Sequence, residues 1–305
     1  MRDVIRFLGV YSITMLLVSN VKLIEAHSIK CSEIEDFNSI REILASLINK
    51  WRTPVIKINE NGDVEDKVYC SALKILGVKY IPVTNTNATF EIPLDILDPY
   101  WEIEENLRIP RVYDNVVELL YKGFPTPLVK LKYLSNQGVN FWAKLEWYNP
   151  FSLSVKDRIA WYMLTKTLEN SNNNVKVLYE ATSTNTGLAL AGLSNYYGLK
   201  TRLYLPITMQ KCVDYLFQAL GAEVVRKGVS ITTEMIDDVK REAVRDNAVN
   251  LNQFENDYNF YVHLRYTAKE LEYQTLKKGF IPDAVIVGVG TSGHGSAISF
   301  YFKNK

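Results

Sequence analysis

The sequence predicts an α/β protein in which a small α/β domain precedes a larger domain built on a parallel sheet. From Val175 onward, short apolar strands alternate with amphipathic helices of similar or greater length. This alternation indicates parallel strands joined by right-handed helical crossovers. A length of 305 residues and an apolar fraction of 47% allow two domains with buried cores. We therefore expect residues 1–108 to form the small domain with its linker, and residues 109–305 to form the larger domain.

The charge balance limits the partners that the protein can be expected to bind, and the cysteines limit its expected redox environment. Lysine and arginine number 35 against 34 aspartates and glutamates, so no net field favours nucleic acid or an anionic membrane. Small molecules are the expected partners. Cys31, Cys70 and Cys212 are too scattered for a disulfide framework and lack the spacing of a metal site. We therefore expect reduced cysteines, no metal and a cytoplasmic location.

One apolar segment near the N-terminus has two interpretations. Residues 7–19, FLGVYSITMLLVS, follow Arg2 and Arg6, as the central region of a secretory signal peptide would. The run is shorter than the ~20 residues that span a bilayer, and Ser12 and Thr14 interrupt it. A buried strand of the small domain is the favoured interpretation, and a secretory signal is the alternative.

The small domain is predicted from the pattern between residues 28 and 92. In order, the pattern predicts a helix over 33–51, a strand over 54–58, a turn at Asn61–Gly62, a helix over 68–77 and a strand over 80–84. From about Pro93 to Tyr121, prolines and acidic residues interrupt any sustained period. We expect that stretch to be a linker.

The large domain is predicted from the longer alternation. Strands are expected over 175–182, 200–206, 222–228 and 248–254, with helices over 187–198, 209–221 and 232–246 between them. A helical stretch over 261–279 and a strand over 283–290 follow. Because such sheets bind ligands at the carboxyl ends of their strands, the loops at 182–187, 252–257 and 288–295 are the candidate site.

Gly288, Gly290 and Gly293 follow the last predicted strand with the spacing G-x-G-x-x-G. In nicotinamide-dependent dehydrogenases, an acidic residue about 20 positions further on binds the ribose. No position of this sequence lies that far beyond Gly293, so a dehydrogenase is disfavoured. An anion-binding loop at the start of a helix and a tight turn without ligand both stay open.

Lys156 is the candidate reactive side chain. It lies between Val155 and Asp157 at the predicted start of a helix, close to Ser152 and Ser154. A lysine here is either a solvated charge or an amine that forms a Schiff base with a carbonyl cofactor. The glycine loop and the hydroxyl-rich loop downstream favour the second interpretation.

Five segments occur in the order and spacing of one known family. They are NPFSLSVKDR, ATSTNTG, LPITMQKCVDYLFQALGAEVV, NQFENDYNFYVHLRYTAKEL and GVGTSGHG. Together they resemble the pyridoxal-phosphate-dependent cysteine synthases of fold type II, which implies parallel sheets with flanking helices. The motif variants KLEWYNPFSLSVKDR and GTSGH resemble most closely those of the archaeal O-phosphoserine sulfhydrylases. The small domain faintly resembles a ParB-like serine kinase, but that family's Asp-Gly-His-His-Arg stretch is missing.

The resemblance implies pyridoxal 5′-phosphate as cofactor and a set of site residues. Lys156 is implied to hold the cofactor as an aldimine and to act as general base at Cα, and Asn185 to bind the ring oxygen. The substrate carboxylate is assigned to Thr182, Ser183, Thr186 and Gln253. The cofactor phosphate is assigned to Gly290, Thr291, Ser292, Gly293 and His294.

Most of these assignments have a structural alternative. Thr182, Ser183 and Asn185 also suit a turn and cap that open a helix. Gln253 can satisfy backbone groups at a strand end, and His263 is expected to be a packed or surface histidine rather than a catalytic one.

The implied reaction is β-replacement on an activated serine. O-phosphoserine, or O-acetylserine, loses its leaving group, and sulfide adds to the resulting aminoacrylate to give cysteine. Full-length relatives continue past the last glycine loop, so the resemblance predicts a C-terminally truncated chain with an incomplete large domain. It also predicts a homodimer. The alternative is a non-catalytic protein that binds pyridoxal phosphate or an amino acid.

Overall fold

The structure is a computed structural model, and the chain divides into two compact units. One unit consists of Met1–Pro110 with Ile298–Lys305, and the other of Arg111–Ala297. The structure describes residues 21–31, 37–87, 91–94, 97, 111–135, 138–171 and 174–305. The predicted apolar strand over 7–19 lies outside the described residues, and the predicted domain boundary at residue 108 stays a prediction.

The first unit contains a three-stranded sheet and a two-stranded ribbon. In the sheet, β1 (Lys22–Glu25) pairs antiparallel with β4 (Tyr80–Thr84), and β4 pairs in parallel with β3 (Ile56–Lys57). In the ribbon, β2 (Arg52–Pro54) pairs antiparallel with β5 (Glu91–Pro93). The strand predicted over 80–84 is confirmed, and the strand predicted over 54–58 is divided between β2 and β3.

Two helices, α1 (Phe37–Lys50) and α2 (Lys67–Leu76), pack against each other in the first unit. At the start of α2, the carboxylate of Asp66 accepts a hydrogen bond from the backbone N–H of Tyr69 at 3.0 Å, which satisfies one unpaired donor of the first turn. Gly77 ends the helix in the left-handed region, with φ of 84°, where a side chain is disfavoured. Both predicted helices are therefore present.

Cys31 and Cys70 form a disulfide, which corrects the prediction that the cysteines are reduced. Their Cα atoms lie 5.7 Å apart, and Cys70 is buried in α2. Cys212 is free and exposed. The pairing could not be predicted because 39 residues separate the two cysteines, and only the packing of α2 brings them together.

The predicted linker contains a helix at its C-terminal end. α3 (Val116–Lys122) begins where the side-chain oxygen of Asn115 accepts from the N–H of Glu118 at 2.8 Å. An antiparallel hairpin of β6 (Leu128–Lys130) and β7 (Trp142–Lys144) follows. The linker prediction is thus wrong for this stretch, because a helix of two turns is too short to show a hydrophobic period.

The second unit is built on a parallel sheet in the order β10-β9-β8-β11, which confirms the predicted α/β class. Its strands are β8 (Val177–Ala181), β9 (Lys200–Pro206), β10 (Glu223–Lys227) and β11 (Val249–Asn250). The strand predicted over 248–254 thus has only two residues. The strand ends there, because the backbone N–H groups of Asn252 and Gln253 donate to the buried side chain of Glu180 instead of to a neighbouring strand.

Helices cover both faces of this sheet. They are α5 (Asn185–Tyr196), α6 (Cys212–Ala219) and α7 (Ile236–Arg245), and α4 (Lys156–Asn170) packs on α5. Successive residues of β9 point to opposite faces. Leu203 and Leu205 pack in one core with Phe217 of α6, and Tyr204 packs in another with Val239 of α7.

The last part of the unit departs from the sequence prediction in two places. The helical stretch over 261–279 consists of α8 (Tyr258–Val262), a π-helical segment (His263–Ala268) and α9 (Lys269–Lys277). Residues 283–290 form no strand, because no described segment pairs with them, and Ile286 is 89% exposed. α10 (Gly293–Lys303) begins at the glycine loop, as predicted, and its residues from Ile298 onward are assigned to the first unit. None of the described helices combines the length and apolarity of a bilayer-spanning helix.

Candidate active site

Lys156 is the first residue of α4, and a short hydrogen-bonded loop fixes its backbone. The carboxylate of Asp157 accepts from the N–H groups of Phe151 and Ser152 at 2.6 and 2.8 Å, and from the hydroxyl of Ser152. The backbone N–H of Lys156 donates to the hydroxyl of Ser154 at 3.1 Å. The two serines near Lys156 therefore shape the loop that presents the lysine.

The amine of Lys156 is half-buried, and this burial lowers its pKa below the ordinary value for a lysine. Desolvation disfavours the ammonium form. A lower pKa increases the fraction of neutral amine, which is the form that attacks a carbonyl or removes a proton. The environment of Lys156 thus suits a reactive amine better than a solvated charge.

Two residues beyond Lys156, the fully buried Arg158 anchors the first turn of α4. Its guanidinium donates to both carboxylate oxygens of Glu270 at 2.8 Å each, and to Glu146 at 2.7 and 3.0 Å. It also lies 4.0 Å from the ring centroid of Phe124. Lys144 donates to Glu270 at 2.9 Å. These four charged side chains, Lys144, Glu146, Arg158 and Glu270, are called the buried charge cluster below.

The cluster keeps its carboxylates ionised despite their burial. Burial alone would raise the pKa of Glu146, but the charge of Arg158 lowers this pKa to about 2. Burial and Arg158 oppose each other in the same way at Glu270, and the pKa of Glu270 is also lowered. Each acceptor is met by charged donors, which is the condition under which buried ions are tolerated.

The hydroxyl-rich loop at 182–187 opens α5 and contacts the loop after β11. The hydroxyl oxygen of Thr182 accepts from the N–H of Gly187 at 3.0 Å, so this side chain caps the helix. Thr186 donates to the side-chain oxygen of Gln253 at 2.6 Å, and the amide of Gln253 donates to the carbonyl of Ala181 at 3.0 Å. Thr186 and Gln253 therefore hold each other at the end of β8.

Glu180 fixes the loop that carries Gln253. Its carboxyl oxygens accept from the backbone N–H groups of Asn252 at 2.9 Å and Gln253 at 3.2 Å. Burial raises the pKa of Glu180 to about 8. The role of Glu180 could not be predicted from the sequence, because a glutamate inside an apolar strand is recognised as a buried anchor only once its partners are known.

The glycines of the 288–295 loop have different surroundings. A Cβ at Gly290 would meet no described atom within 4 Å, whereas a Cβ at Gly293 would lie 2.2 Å from the side-chain oxygen of Asn259. Ser292, between them, has φ of 71°. The hydroxyl oxygen of Thr291 accepts from the side-chain amide of Asn259 at 2.8 Å. Gly290 thus leaves its side of the loop open, and Gly293 packs on Asn259.

His294 faces His263 across 4.9 Å between ring centroids. Burial lowers the pKa of His294 to about 4, and it lowers the pKa of His263 well below the usual value. Both rings are therefore neutral near pH 7. Nδ1 of His263 lies 2.9 Å from the hydroxyl of Thr267, and its Nε2 has no hydrogen-bond partner in the described part of the chain. His263 is a packed histidine, one of the two predicted environments.

A cavity of about 330 Å³ joins the three loops to Lys156. It is lined by Lys156, Ser183, Thr184, Asn185, Thr186, Thr232, Gln253, Phe254, Gly290 and Thr291. Seven of these residues belong to the predicted site, and Thr184, Thr232 and Phe254 are additions. Thr182, Ser292, Gly293 and His294 were predicted site residues and do not line this cavity. The sequence could not identify Thr232, because it lies outside the three candidate loops, at the start of a short 3-10 helix (Thr232–Met235) after β10.

The cavity has the groups that a phosphorylated carbonyl cofactor needs. It offers an amine of lowered pKa at Lys156, an amide at Asn185, a hydroxyl at Thr291 and a loop that a Cβ at Gly290 would narrow. Hydroxyl and backbone N–H groups near the start of a helix suit an anion. This donor set suits a phosphorylated carbonyl compound such as pyridoxal phosphate.

Comparisons with known proteins give the family. Residues 119–305 match the model of the family described as pyridoxal-phosphate dependent enzyme. The match covers more than half of the chain, so the chain belongs to this family. Its members use pyridoxal 5′-phosphate.

Several curated relatives are cysteine synthases. The chain is 36% identical over 188 residues to the cysteine synthase of Flavobacterium sp., and 32% identical over 225 residues to cysteine synthase 2 of Schizosaccharomyces pombe. It is 34% identical over 185 residues to cysteine synthase B of Escherichia coli. These alignments cover 59%, 66% and 59% of this chain, and 58%, 55% and 59% of the relatives. The chain thus spans little more than half the length of these relatives.

The fold also matches a solved structure of an O-ureido-L-serine synthase. The TM-score is 0.56 at 22% identity, covering 63% of this chain and 60% of the other. At this identity, the likeness supports the fold alone.

Proposed function

We propose that the protein acts in cysteine biosynthesis as a pyridoxal-phosphate-dependent enzyme, by β-replacement on an activated serine. The observation that carries the proposal is Lys156, an amine of lowered pKa in the cavity that Gln253, Asn185 and Thr291 also line. The similarity to several cysteine synthases supports the same reaction class. The proposed substrates are O-phosphoserine or O-acetylserine, with sulfide as the second reactant.

Each proposed role follows from the chemistry of the side chain. Lys156 attaches the cofactor and then, as a neutral amine, takes the proton from Cα of the substrate. Ser183, Thr186 and Gln253 bind the substrate carboxylate, and the hydroxyl of Thr182 holds the turn that presents them. Asn185 donates to the ring oxygen of the cofactor. When bound, pyridoxal phosphate withdraws the electron pair left at Cα.

The phosphate of the cofactor is assigned to the loop Gly290–Thr291–Ser292–Gly293–His294, of which Gly290 and Thr291 line the cavity. Its neutral histidine would contribute hydrogen bonds and no positive charge, so the attraction would come from N–H and hydroxyl donors. A homodimer completes the proposal.

The first experiment tests Lys156. Titration of the wild-type protein with pyridoxal 5′-phosphate is expected to produce a visible absorbance band and, after borohydride treatment, a covalent adduct. Lys156→Ala should lose both, because the covalent bond requires this amine. The matched control is Lys211→Ala, since Lys211 is an exposed lysine at the start of α6. A borohydride-stable adduct in Lys156→Ala would reject the assignment.

The second experiment tests the reaction. Wild-type protein loaded with cofactor receives sulfide with O-acetylserine in one series and O-phosphoserine in another, and cysteine is measured. Formation of cysteine that depends on Lys156 supports the proposal, and the faster series identifies the substrate. Binding of the cofactor without cysteine from either substrate would favour the alternative, a non-catalytic binding protein.

A further inference from the structure

Asn259 is a buried side chain that touches the glycine loop at two points. It lies in α8 and is 3% exposed. Its side-chain nitrogen donates to the hydroxyl oxygen of Thr291 at 2.8 Å. Its side-chain oxygen is the atom that a Cβ at Gly293 would meet at 2.2 Å. The same amide therefore contacts residues on both sides of Ser292.

The orientation of this amide is fixed by a second hydrogen bond. The nitrogen also donates to the backbone carbonyl of Gln253 at 2.8 Å. A carbonyl can only accept, so the nitrogen and not the oxygen of Asn259 must face Gln253 and Thr291. The oxygen is buried without a hydrogen-bond partner among the described residues. A buried polar atom in this state carries a cost, which the two donated bonds offset.

The direction of the bond to Thr291 determines what the hydroxyl can do. A hydroxyl has one proton to donate and two lone pairs that accept. Because Asn259 donates to one lone pair, the proton of Thr291 is left for an acceptor in the cavity that Thr291 lines. A neighbour that accepted from Thr291 would instead remove this proton from the cavity.

We propose that Asn259 is a positioning residue that turns the Thr291 hydroxyl into a donor for the cofactor phosphate. The inference rests on the proposed function and adds a residue that the sequence analysis did not identify. Through its bond to the carbonyl of Gln253, the same side chain joins the phosphate loop to the loop that binds the substrate carboxylate. Thr186, Gln253, Asn259 and Thr291 thus form one continuous hydrogen-bonded path.

The test replaces Asn259 by aspartate, which has the same shape and no donor. The carboxylate of Asn259→Asp would accept the Thr291 proton and would also repel a phosphate. The measured quantities are the dissociation constants of pyridoxal 5′-phosphate and of pyridoxal, which lacks the phosphate. We expect the affinity for pyridoxal 5′-phosphate to fall at least tenfold, about 1.4 kcal/mol. The affinity for pyridoxal should change less than twofold.

Asn256→Asp is the matched control. Asn256 lies in the loop that precedes α8 and donates to the carbonyl of Leu251 at 2.8 Å, which is the same kind of bond without a contact to Thr291. Its affinities for both compounds should stay within twofold of wild type. In a Thr291→Val background, Asn259→Asp should cause a smaller loss than in the wild-type background, because the hydroxyl is gone and only the repulsion of the phosphate is left. Should Asn259→Asp not fold, Asn259→Ser replaces it, with an expected loss of about threefold.

The outcomes separate the inference from the proposed function. Equal losses for pyridoxal and its phosphate, or no loss for either, would overturn the role of Asn259. If the wild type does not bind pyridoxal 5′-phosphate, the proposed function fails, and inorganic phosphate becomes the probe. Phosphate binding that weakens in Asn259→Asp would then still support the inference. A wild-type protein that binds neither compound overturns both.

Discussion

Gly290 and Gly293 lie in one loop, but the reason for glycine differs between the two positions. The space at Gly290 is free of described atoms within 4 Å, so a side chain there competes only with a ligand. At Gly293 the space is filled by Asn259, so a side chain competes with the protein itself. The resemblance implies a phosphate contact for both glycines. The sequence cannot separate their roles, because Asn259 is distant along the chain and its contact depends on the fold.

This difference gives a prediction for two alanine variants. Gly293→Ala should lower the free energy of unfolding by about 1–3 kcal/mol without cofactor, because its Cβ overlaps Asn259. Gly290→Ala should change this free energy by less than about 0.5 kcal/mol. It should nevertheless weaken the binding of pyridoxal 5′-phosphate at least tenfold, because the phosphate approaches the backbone there. Urea unfolding and cofactor titration measure the two effects. Unchanged affinity of Gly290→Ala for pyridoxal 5′-phosphate would favour the alternative interpretation, in which the loop is a tight turn that binds no ligand.

At the scale of elements, strands and helices with strong periods were predictable, and elements that depend on distant partners were not. β9 has the predicted bounds because its buried residues alternate between two cores. Residues 283–290 are as apolar as β9 and form no strand, since no described segment pairs with them. A hydrophobic pattern indicates that a segment tends to be buried. A strand also requires a neighbouring strand whose backbone groups form hydrogen bonds with it.

The start of α4 depends on side chains from other elements in the same way. The sequence placed Lys156 at a helix start, and it gave no sign that Arg158 is buried between Glu146 and Glu270. The partners come from the segment after β7 and from α9, so only the folded chain brings them together. The buried charge cluster therefore positions the lysine, although none of its members lines the cavity.

Removal of Arg158 tests the importance of this cluster for stability. Arg158→Ala leaves two buried carboxylates without their main counterion, so the free energy of unfolding should fall by about 3–5 kcal/mol. Arg241→Ala is the matched control, because Arg241 pairs with Asp238 on the surface and is 72% exposed. Exposed pairs contribute about 0–1 kcal/mol. Urea unfolding measures both variants. If Arg158→Ala lowered the free energy of unfolding as little as Arg241→Ala, the cluster would contribute little to the stability of the fold.

At the scale of the whole molecule, the sequence predicted the α/β class but could not predict which distant segments of the chain contact each other. The order β10-β9-β8-β11 and the disulfide between Cys31 and Cys70 both depend on contacts between distant segments. All residues proposed for the site belong to the unit Arg111–Ala297, whereas the disulfide belongs to the first unit. The two features should therefore respond separately to substitution.

The disulfide provides the last prediction. Cys31→Ser opens a covalent loop of 39 residues, which in the chain-entropy treatment costs about 4 kcal/mol in the free energy of unfolding of the first unit. The affinity for pyridoxal 5′-phosphate should stay within twofold, because its proposed ligands lie in the second unit. Cys212→Ser, at the exposed free cysteine, is the control and should change neither quantity. Thiol titration of the denatured wild-type protein should find one reactive cysteine before reduction and all three after it. Three reactive thiols without reductant would contradict the disulfide, and a parallel loss of cofactor affinity in Cys31→Ser would contradict the independence of the two units.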